Sequence, residues 1–255
     1  MAGLAGEEAA AAPPRPRAAR TRKSRRSRTY SPRRVRAEYL VLRAVIGGLA
    51  ALPLGIALRV GEAVMWLVIL LAFPLRRVGM TNLAIAFPEK SVAERRRILH
   101  ASMLNLGRMV AELAHLPQLD DDTLREMVRF ENEAWWQEAI GWERPTGVLI
   151  LSGHFGNWEL LVYAHGRRGH PVTMVHRPIR NQLYDRWLNR LRARAGTRLV
   201  RKHHAATEVL RALRQKQLLV LPFDQNSTRQ LGVFVDFFGK AASTDRKSTR
   251  LNSSH

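Results

Sequence analysis

The sequence contains no cysteine among its 255 residues. This absence excludes a disulfide scaffold, a thiolate zinc site and a cysteine nucleophile, although it does not identify the compartment. Acidic residues are also few, since 21 Asp and Glu stand against 42 Lys and Arg, and the formal charge at pH 7 is +21. Such an excess raises nucleic acid as one interpretation. Because 46% of the residues are hydrophobic and they cluster, a collagen-like chain and a wholly disordered polymer are excluded.

The positive charge is concentrated in two segments. Residues 1–36 carry eleven basic and two acidic side chains, and residues 160–216 carry fourteen and two. Residues 1–36 have no apolar periodicity, so we expect a disordered basic tail. They also lack the short apolar core and the small-residue cleavage site of a secretory signal. We therefore expect this tail to remain attached.

Residues 37–75 are the most apolar part of the chain but lack a long uninterrupted run. Arg59 and Glu62 leave runs of 15 residues (44–58) and 13 residues (63–75), whereas a membrane-spanning helix usually needs about 20. Basic residues flank both ends, which would place both ends on the cytoplasmic side. The pattern predicts a membrane anchor that is re-entrant or lies in the membrane plane, broken near Pro53 and Gly55. Two buried core helices are the alternative.

Downstream, apolar periodicity predicts alternating strands and helices. A helix is expected over residues 92–116, and Asp120–Asp122 offers an N-cap for the next one. Strands are expected at 148–151, 171–176, 198–201 and 218–222, and helices at 158–168, 181–194 and 205–215. This order predicts an α/β fold with a mostly parallel sheet. The last apolar stretch (233–238) lies so close to the end that we expect a C-terminally truncated chain, with residues 243–255 a polar tail of non-native sequence.

One cluster of residues offers catalytic chemistry, and it lies where a predicted buried strand meets the next helix. Ligands of open α/β sheets bind at this position. If Asn157 caps the helix, Glu159 lies in its first turn and can reach back to His154. A carboxylate that accepts the ring N–H fixes the tautomer of a general base. Gly153 and Gly156 allow the backbone to approach a substrate closely.

These residues resemble a known family. The segment Gly153-His154-Phe155-Gly156-Asn157-Trp158-Glu159 is similar to the H-x-x-x-x-E signature of the bacterial lipid A late acyltransferases, within the lysophospholipid acyltransferase group. Further blocks that resemble this family follow the expected order: Asn82-Leu83, Ala86-Phe87-Pro88-Glu89, Val175-His176-Arg177-Pro178, Asp224-Gln225 and 233–239. The resemblance covers roughly residues 40–242.

The resemblance implies an acyltransferase domain over residues 76–242, which the expected truncation leaves incomplete. It implies transfer of a fatty acyl chain from an acyl carrier protein or coenzyme A thioester to a hydroxyl of a lipid A precursor, at the cytoplasmic face of the inner membrane. His154 would be the general base and Glu159 its partner, with no cofactor and no metal. Related mannoside acyltransferases tend to carry Asp where this chain has Glu159, so Glu159 favours lipid A over a phosphatidylinositol mannoside as acceptor.

Other side chains are candidates for binding substrate. Arg177 would stabilise the oxyanion or bind a phosphate, although it could equally cap a helix. Gly156, Asn157, Asp224 and Gln225 would shape the acceptor site, although Asp and Asn are also ordinary turn residues. A basic stripe would face lipid phosphates or an acidic carrier protein, or only solvent; its members are Arg186, Arg190 and Arg194. Aromatic residues would line an acyl groove or belong to the core: Phe234, Phe237 and Phe238.

Two other classes of protein remain as alternatives. A nucleic-acid-binding protein fits the charge, but aromatic residues are not interleaved with the basic runs and no DNA-binding motif is present. We therefore expect no nucleic-acid partner. A metallohydrolase would use His154, Glu159 and a distal His203 or His204, which lie beside the cations Arg201 and Lys202.

Overall fold

The computed structural model describes residues 31–141, 146–201, 205–222, 224–225 and 232–245. The N-terminal half is helical: α1 (Pro32–Ala50), α2 (Leu54–Leu71), α3 (Phe73–Ala86), α4 (Val92–His115), α5 (Asp121–Met127) and α6 (Glu133–Ile140). Strands and helices then alternate: β1 (Val148–Ser152), α7 (Trp158–Arg167), β2 (Val172–His176), α8 (Gln182–Arg194), β3 (Arg198–Arg201), α9 (Ala205–Arg214) and β4 (Leu218–Pro222). A hairpin of β5 (Gly232–Phe237) and β6 (Lys240–Asp245) follows. The predicted α/β class is confirmed.

The ends of the predicted segments differ from the ends of the elements. Helix α1 begins at Pro32, inside the segment assigned to the basic tail. Strand β6 extends into the segment assigned to a polar tail, and Ser243 within it is buried. Residues 1–30, 246–255, His203 and His204 lie outside the described residues.

The main sheet is parallel, with the strand order β1-β4-β2-β3. Leu218 and Val220 of β4 pack on one face against α6 and α7, while Leu219 packs on the other face against α9. Since helices cover both faces of β4, its apolar residues need no alternation with polar ones. Strand β1 was predicted to be buried, and this is wrong: it lies at the edge of the sheet, and Leu151 is 52% exposed.

Helix α2 crosses α4 with the two backbones in direct contact. A Cβ atom on Gly61 would lie 2.3 Å from the carbonyl oxygen of Gly107, and a Cβ on Gly107 would lie 2.2 Å from that of Gly61. Ala57 and Ala111 are fully buried beside this crossing. Small residues four apart on both helices therefore allow the close approach, as in membrane-type helix pairs.

Polar groups reinforce the α2–α4 pair. The Nη1 atom of Arg108 donates to Glu62 at 2.9 Å, so the acid that interrupts the apolar run has a partner on α4. At the other end, the buried ring of His115 lies 2.8 Å from the carbonyl of Ala111 and 2.9 Å from that of Leu52, in the break between α1 and α2. The break predicted near Pro53 is confirmed.

Helix α2 is long and apolar enough to cross a membrane by length and composition, with a mean hydropathy of 2.0 over 18 residues, of which 17% are buried. Its buried residues are Ala57, Gly61 and Ile69. Most of the apolar surface of α2 is therefore exposed, unlike that of a helix enclosed in a soluble core.

Replacing either crossing glycine by alanine should separate the helices. We expect Gly61→Ala and Gly107→Ala each to lower the free energy of unfolding by about 1–3 kcal/mol, because the added methyl group overlaps a backbone carbonyl. Gly47→Ala is the matched control, since a Cβ there meets nothing within 4 Å, and it should stabilise α1 by about 0.5–1 kcal/mol. Chemical denaturation followed by circular dichroism measures all three, and equal stability of the three variants would contradict the crossing.

A buried histidine makes the α/β unit sensitive to acid. His165 is 8% exposed, its ring contacts those of Phe130 and Trp136, and its Nδ1 has no hydrogen-bond partner among the described residues. Burial, then the charges of His170 and Arg168, lower the pKa of His165 from 6.5 to about 4. The folded chain therefore favours the neutral ring.

Because this pKa is lowered by folding, the neutral ring contributes stability that is fully present above pH 6.5 and is lost as pH falls from 6.5 towards about 4. The shift corresponds to about 3 kcal/mol. We expect His165→Phe to remove that part of the pH dependence. Urea denaturation of both proteins between about pH 7 and about pH 4.5 tests this, and parallel stability curves would contradict it.

Candidate active site

The pairing of β1 with β4 brings two loops to one edge of the sheet. Ser152 at the end of β1 lies opposite Pro222 at the end of β4. His154 is the second residue beyond Ser152, and Asp224 is the second residue beyond Pro222. Both side chains therefore lie at the carboxyl edge of the sheet, where ligands of open α/β folds bind.

Asp224 contacts His154 through both carboxylate oxygens. Its Oδ1 lies 2.8 Å from the ring Nδ1 of His154, and its Oδ2 accepts the backbone N–H of His154 at 2.5 Å. A Cβ at position 153 would lie 3.1 Å from Oδ2, so glycine at this position makes room for the carboxylate. The sequence predicted that Asp224 shapes the acceptor site, whereas in the structure its carboxylate contacts the imidazole of His154.

The electrostatics of this pair favour a defined tautomer. Partial burial acts to raise the pKa of Asp224, but the hydrogen bonds from the ring and backbone of His154 outweigh burial and lower it. The carboxylate is therefore ionised near neutral pH and accepts a hydrogen bond from the N–H at Nδ1. This leaves the lone pair of Nε2 free to accept a proton.

Two neighbours orient the exposed side of the His154 ring. The Nε2 of the Gln225 amide lies 3.2 Å from Nε2 of His154 and can donate to its lone pair. The indole of Trp158 lies edge-on to the imidazole, with 4.9 Å between ring centroids. The His154 side chain is 32% exposed, so Nε2 is accessible to a hydroxyl group once the Gln225 amide moves aside.

Glu159 does not contact His154 in this structure, contrary to the prediction. The Nε of Arg192 donates a hydrogen bond to Oε2 of Glu159 at 2.9 Å, and the Nη2 of Arg192 donates one to Oε1 of Glu159. Both side chains are 12% exposed. Glu159 lies against Arg192 because Glu159 and Tyr163, four residues apart, share the face of α7 that packs against α8.

Asn157 caps α7 as predicted and makes a contact that was not predicted. Its Oδ1 accepts the backbone N–H of Leu160 at 3.1 Å, and its Nδ2 donates to Glu112 of α4 at 2.6 Å. Gly156 precedes it with a φ of +58°, a left-handed conformation that favours glycine. The loop that carries His154 is thus tied to α4.

The predicted arginines lie on the surface. Arg177 is exposed where the chain leaves β2, which is two strands from β1, about 10 Å across the sheet. Arg186 and Arg190 lie on the exposed face of α8, so the predicted basic stripe is accessible. Within the described part of the chain, none of the three bonds to His154 or Asp224. The predicted aromatic residues of the hairpin are also exposed rather than part of the core: Phe234, Phe237 and Phe238.

Sequence reasoning missed Glu112, Arg192 and the role of Trp158. A signal for Arg192 was present, because it follows the buried Leu188 by four residues and so lies on the apolar face of α8. A charged residue on such a face usually has a partner. Among the described residues, no group of three or more acidic or histidine side chains is placed to hold a metal ion.

Comparison with known proteins supplies the family. A family model described as "Bacterial lipid A biosynthesis acyltransferase" matches residues 24–254. The chain is 25% identical over 173 residues to "Lipid A biosynthesis acyltransferase 1" of Shigella flexneri and to "Lipid A biosynthesis myristoyltransferase" of Escherichia coli (strain K12), covering 66% of this chain and 52% of each relative. It is also 25% identical over 177 residues to "Lipid A biosynthesis acyltransferase 2" of Shigella flexneri.

The chain spans about half the length of the curated relatives that it matches, 52% or 53% of each. The family model covers nearly the whole chain, including the His154 loop, Asp224 and both glycines of the α2–α4 crossing. This chain belongs to the bacterial lipid A biosynthesis acyltransferase family.

Proposed function

We propose that this protein is an O-acyltransferase that moves a fatty acyl chain from a thioester to a hydroxyl of a lipid A precursor. The observation that carries the proposal is the contact of Asp224 with Nδ1 of His154, which leaves Nε2 facing the open edge of the sheet. The names of the relatives support the reaction class and the acceptor. The donor would be an acyl carrier protein or coenzyme A thioester.

In the proposed reaction His154 is the general base. The hydroxyl oxygen forms a bond to the thioester carbon while its proton passes to Nε2 of His154, and Asp224 stabilises the resulting imidazolium. The tetrahedral intermediate then collapses, the carbon–sulfur bond breaks, and the thiolate takes the proton from Nε2. No acyl-enzyme is required. Arg177 or a backbone N–H of the Gly156 loop would stabilise the oxyanion.

The acceptor and the basic surface support the proposal that this reaction takes place at a membrane. Lipid A precursors are phosphorylated lipids, and an exposed basic stripe suits anionic phosphates. Arg186 and Arg190 provide such a stripe on α8, which begins at the same sheet edge as the His154 loop. We propose the cytoplasmic face of the inner membrane as the location, with residues 37–75 as the anchor.

Removing the base tests the proposed chemistry. We expect His154→Gln to lower the transfer rate by about 10²–10⁴-fold, because a positioned general base contributes that much. The variant should still fold, since the side chain is one-third exposed. His100→Gln on α4 is the matched control and should keep the parental rate. The assay measures transfer of labelled acyl chain from acyl carrier protein to a lipid A precursor in mixed micelles, and a near-parental rate for His154→Gln would contradict the mechanism.

A second pair of variants tests which carboxylate serves the imidazole. We expect Asp224→Asn to lower the transfer rate by about 10²–10⁴-fold, because the imidazole loses the carboxylate that fixes its tautomer and stabilises the imidazolium. We expect Glu159→Gln to keep most of the transfer rate in the same assay and to lower the unfolding free energy by about 3 kcal/mol, because Arg192 loses its buried partner. A large loss of rate for folded Glu159→Gln but none for Asp224→Asn would show that Glu159 holds the ring in the working enzyme.

A further inference from the structure

The surface of α2 is divided into two apolar stripes with opposite environments. One stripe contains the buried residues Ala57, Gly61 and Ile69, which face α4. The other stripe is exposed, from 37% at Val60 to 75% at Leu71; its members are Ile56, Val60, Val64, Leu67, Leu70 and Leu71. Phe73 and Leu75 of α3 continue it and are 58% and 47% exposed. We name this exposed stripe with its α3 extension the insertion face.

Helix α2 packs against α4 along its whole length. Leu52, just before α2, bonds to His115 at 2.9 Å. The Gly61–Gly107 contact holds the middle, and Ile69 packs with Leu99 and Met103 near the end. Since the two helices are antiparallel and in contact throughout, α2 cannot enter a membrane without carrying α4 with it.

Helix α4 cannot cross a membrane. Its 24 residues include ionisable side chains along the entire length, namely Glu94, Arg95, Arg96, Arg97, His100, Arg108, Glu112 and His115. Charged side chains at the centre of a bilayer are costly and rare. Glu112 also binds Asn157 of the His154 loop at 2.6 Å, so α4 is held to the α/β unit. The length and hydropathy of α2 are sufficient for a membrane-spanning helix, but the packing of α2 against α4 excludes one.

We propose that α2 lies in the plane of the membrane, with the insertion face among the acyl chains of one leaflet and with α4 above it. The inference rests on the membrane association in the proposed function and not on its chemistry. An apolar cleft of about 280 Å³ between α1, α2 and α4 opens on the same face, through the exposed Val60 and Val64. This continuous apolar surface suits lipid acyl chains.

Polar residues mark the edges of the insertion face. Arg59, Glu62 and Trp66 are three and four residues apart, so they share one flank of α2. Arginine stems and tryptophan rings favour the headgroup level of a bilayer. Arg76 and Arg77 lie beside the α3 extension, and Arg76 stacks over Phe73 at 5.4 Å. These cations would contact anionic headgroups, which favours a lipid leaflet over a second copy of the chain as the occupant.

The absence of native cysteine makes the proposal directly testable. We would attach the fluorophore NBD to single cysteines at Ile56→Cys, Val64→Cys and Leu71→Cys, near the start, middle and end of α2. The proteins are added to vesicles of phosphatidylethanolamine and phosphatidylglycerol that contain doxyl-labelled lipids. The matched control is Leu210→Cys, since Leu210 on α9 is an apolar residue of similar exposure to Val64, 48% against 51%.

If α2 lies in the plane of the membrane, all three labels lie at the same depth in the bilayer. We expect similar quenching at the three positions, complete reduction of each by dithionite added outside, and no quenching at Leu210→Cys. Val64→Asp should weaken vesicle binding by at least about tenfold, whereas Leu210→Asp should not. Binding should also persist in high salt, because apolar burial is not screened.

Three results would overturn the proposal, and they separate it from the proposed function. A label near one end of α2 that is protected from dithionite would show a membrane-spanning helix, while membrane association stands. Concentration-dependent dimerisation that shields the same labels without vesicles would assign the face to a second copy. No vesicle binding at all would remove membrane association itself, and the His154 assay in micelles would then test the chemistry separately.

Discussion

Strand β4 lies between β1 and β2, and the chemistry of the candidate site depends on this pairing. His154 and Asp224 are 70 residues apart in the chain, and the direct pairing of β1 with β4 makes their loops neighbours at the carboxyl edge of the sheet. If β1 paired with β2 instead, the carboxylate would leave the sheet one strand further away, beyond hydrogen-bond reach of the imidazole. The apolar residues on both faces of β4 stabilise its central position, because helices from each side bury them.

Helix α4 connects the site to the apolar helices. One of its faces contacts the backbone of α2 at Gly107, and Glu112, little more than one turn away, binds the side chain that caps α7. The Asn157 amide is fixed at both ends, by Glu112 and by the Leu160 N–H. The position of the His154 loop relative to the insertion face therefore follows from a single rigid helix.

Local patterns predicted the elements well and the contacts between them poorly. Strand β4 was expected over the residues that form it, and Asn157 was correctly expected to cap α7, because periodicity and capping are encoded within a few residues. The partner of His154 was missed because sheet order decides it, and a list of strands does not specify their order. The contact of Glu159 was missed for a related reason. Glu159 lies in the first turn of α7 as predicted, but the packing of α7 on α8 directs its carboxylate to Arg192. The apolar composition of β1 predicts a buried strand, yet β1 lies at the edge of the main sheet.

The two carboxylates near His154 differ in environment, and this difference suits them to different tasks. Asp224 is 41% exposed and its Oδ1 lies 2.8 Å from Nδ1 of His154, so in the proposed mechanism its charge is available when an imidazolium forms. Glu159 is 12% exposed and is already neutralised by the guanidinium of Arg192. To stabilise the imidazolium, Glu159 would have to leave Arg192 as an unpaired buried cation, which is strongly unfavourable. The structure thus separates a buried ion pair between α7 and α8 from a more exposed acid at the imidazole, and in the proposed mechanism the second carboxylate is the partner of the base.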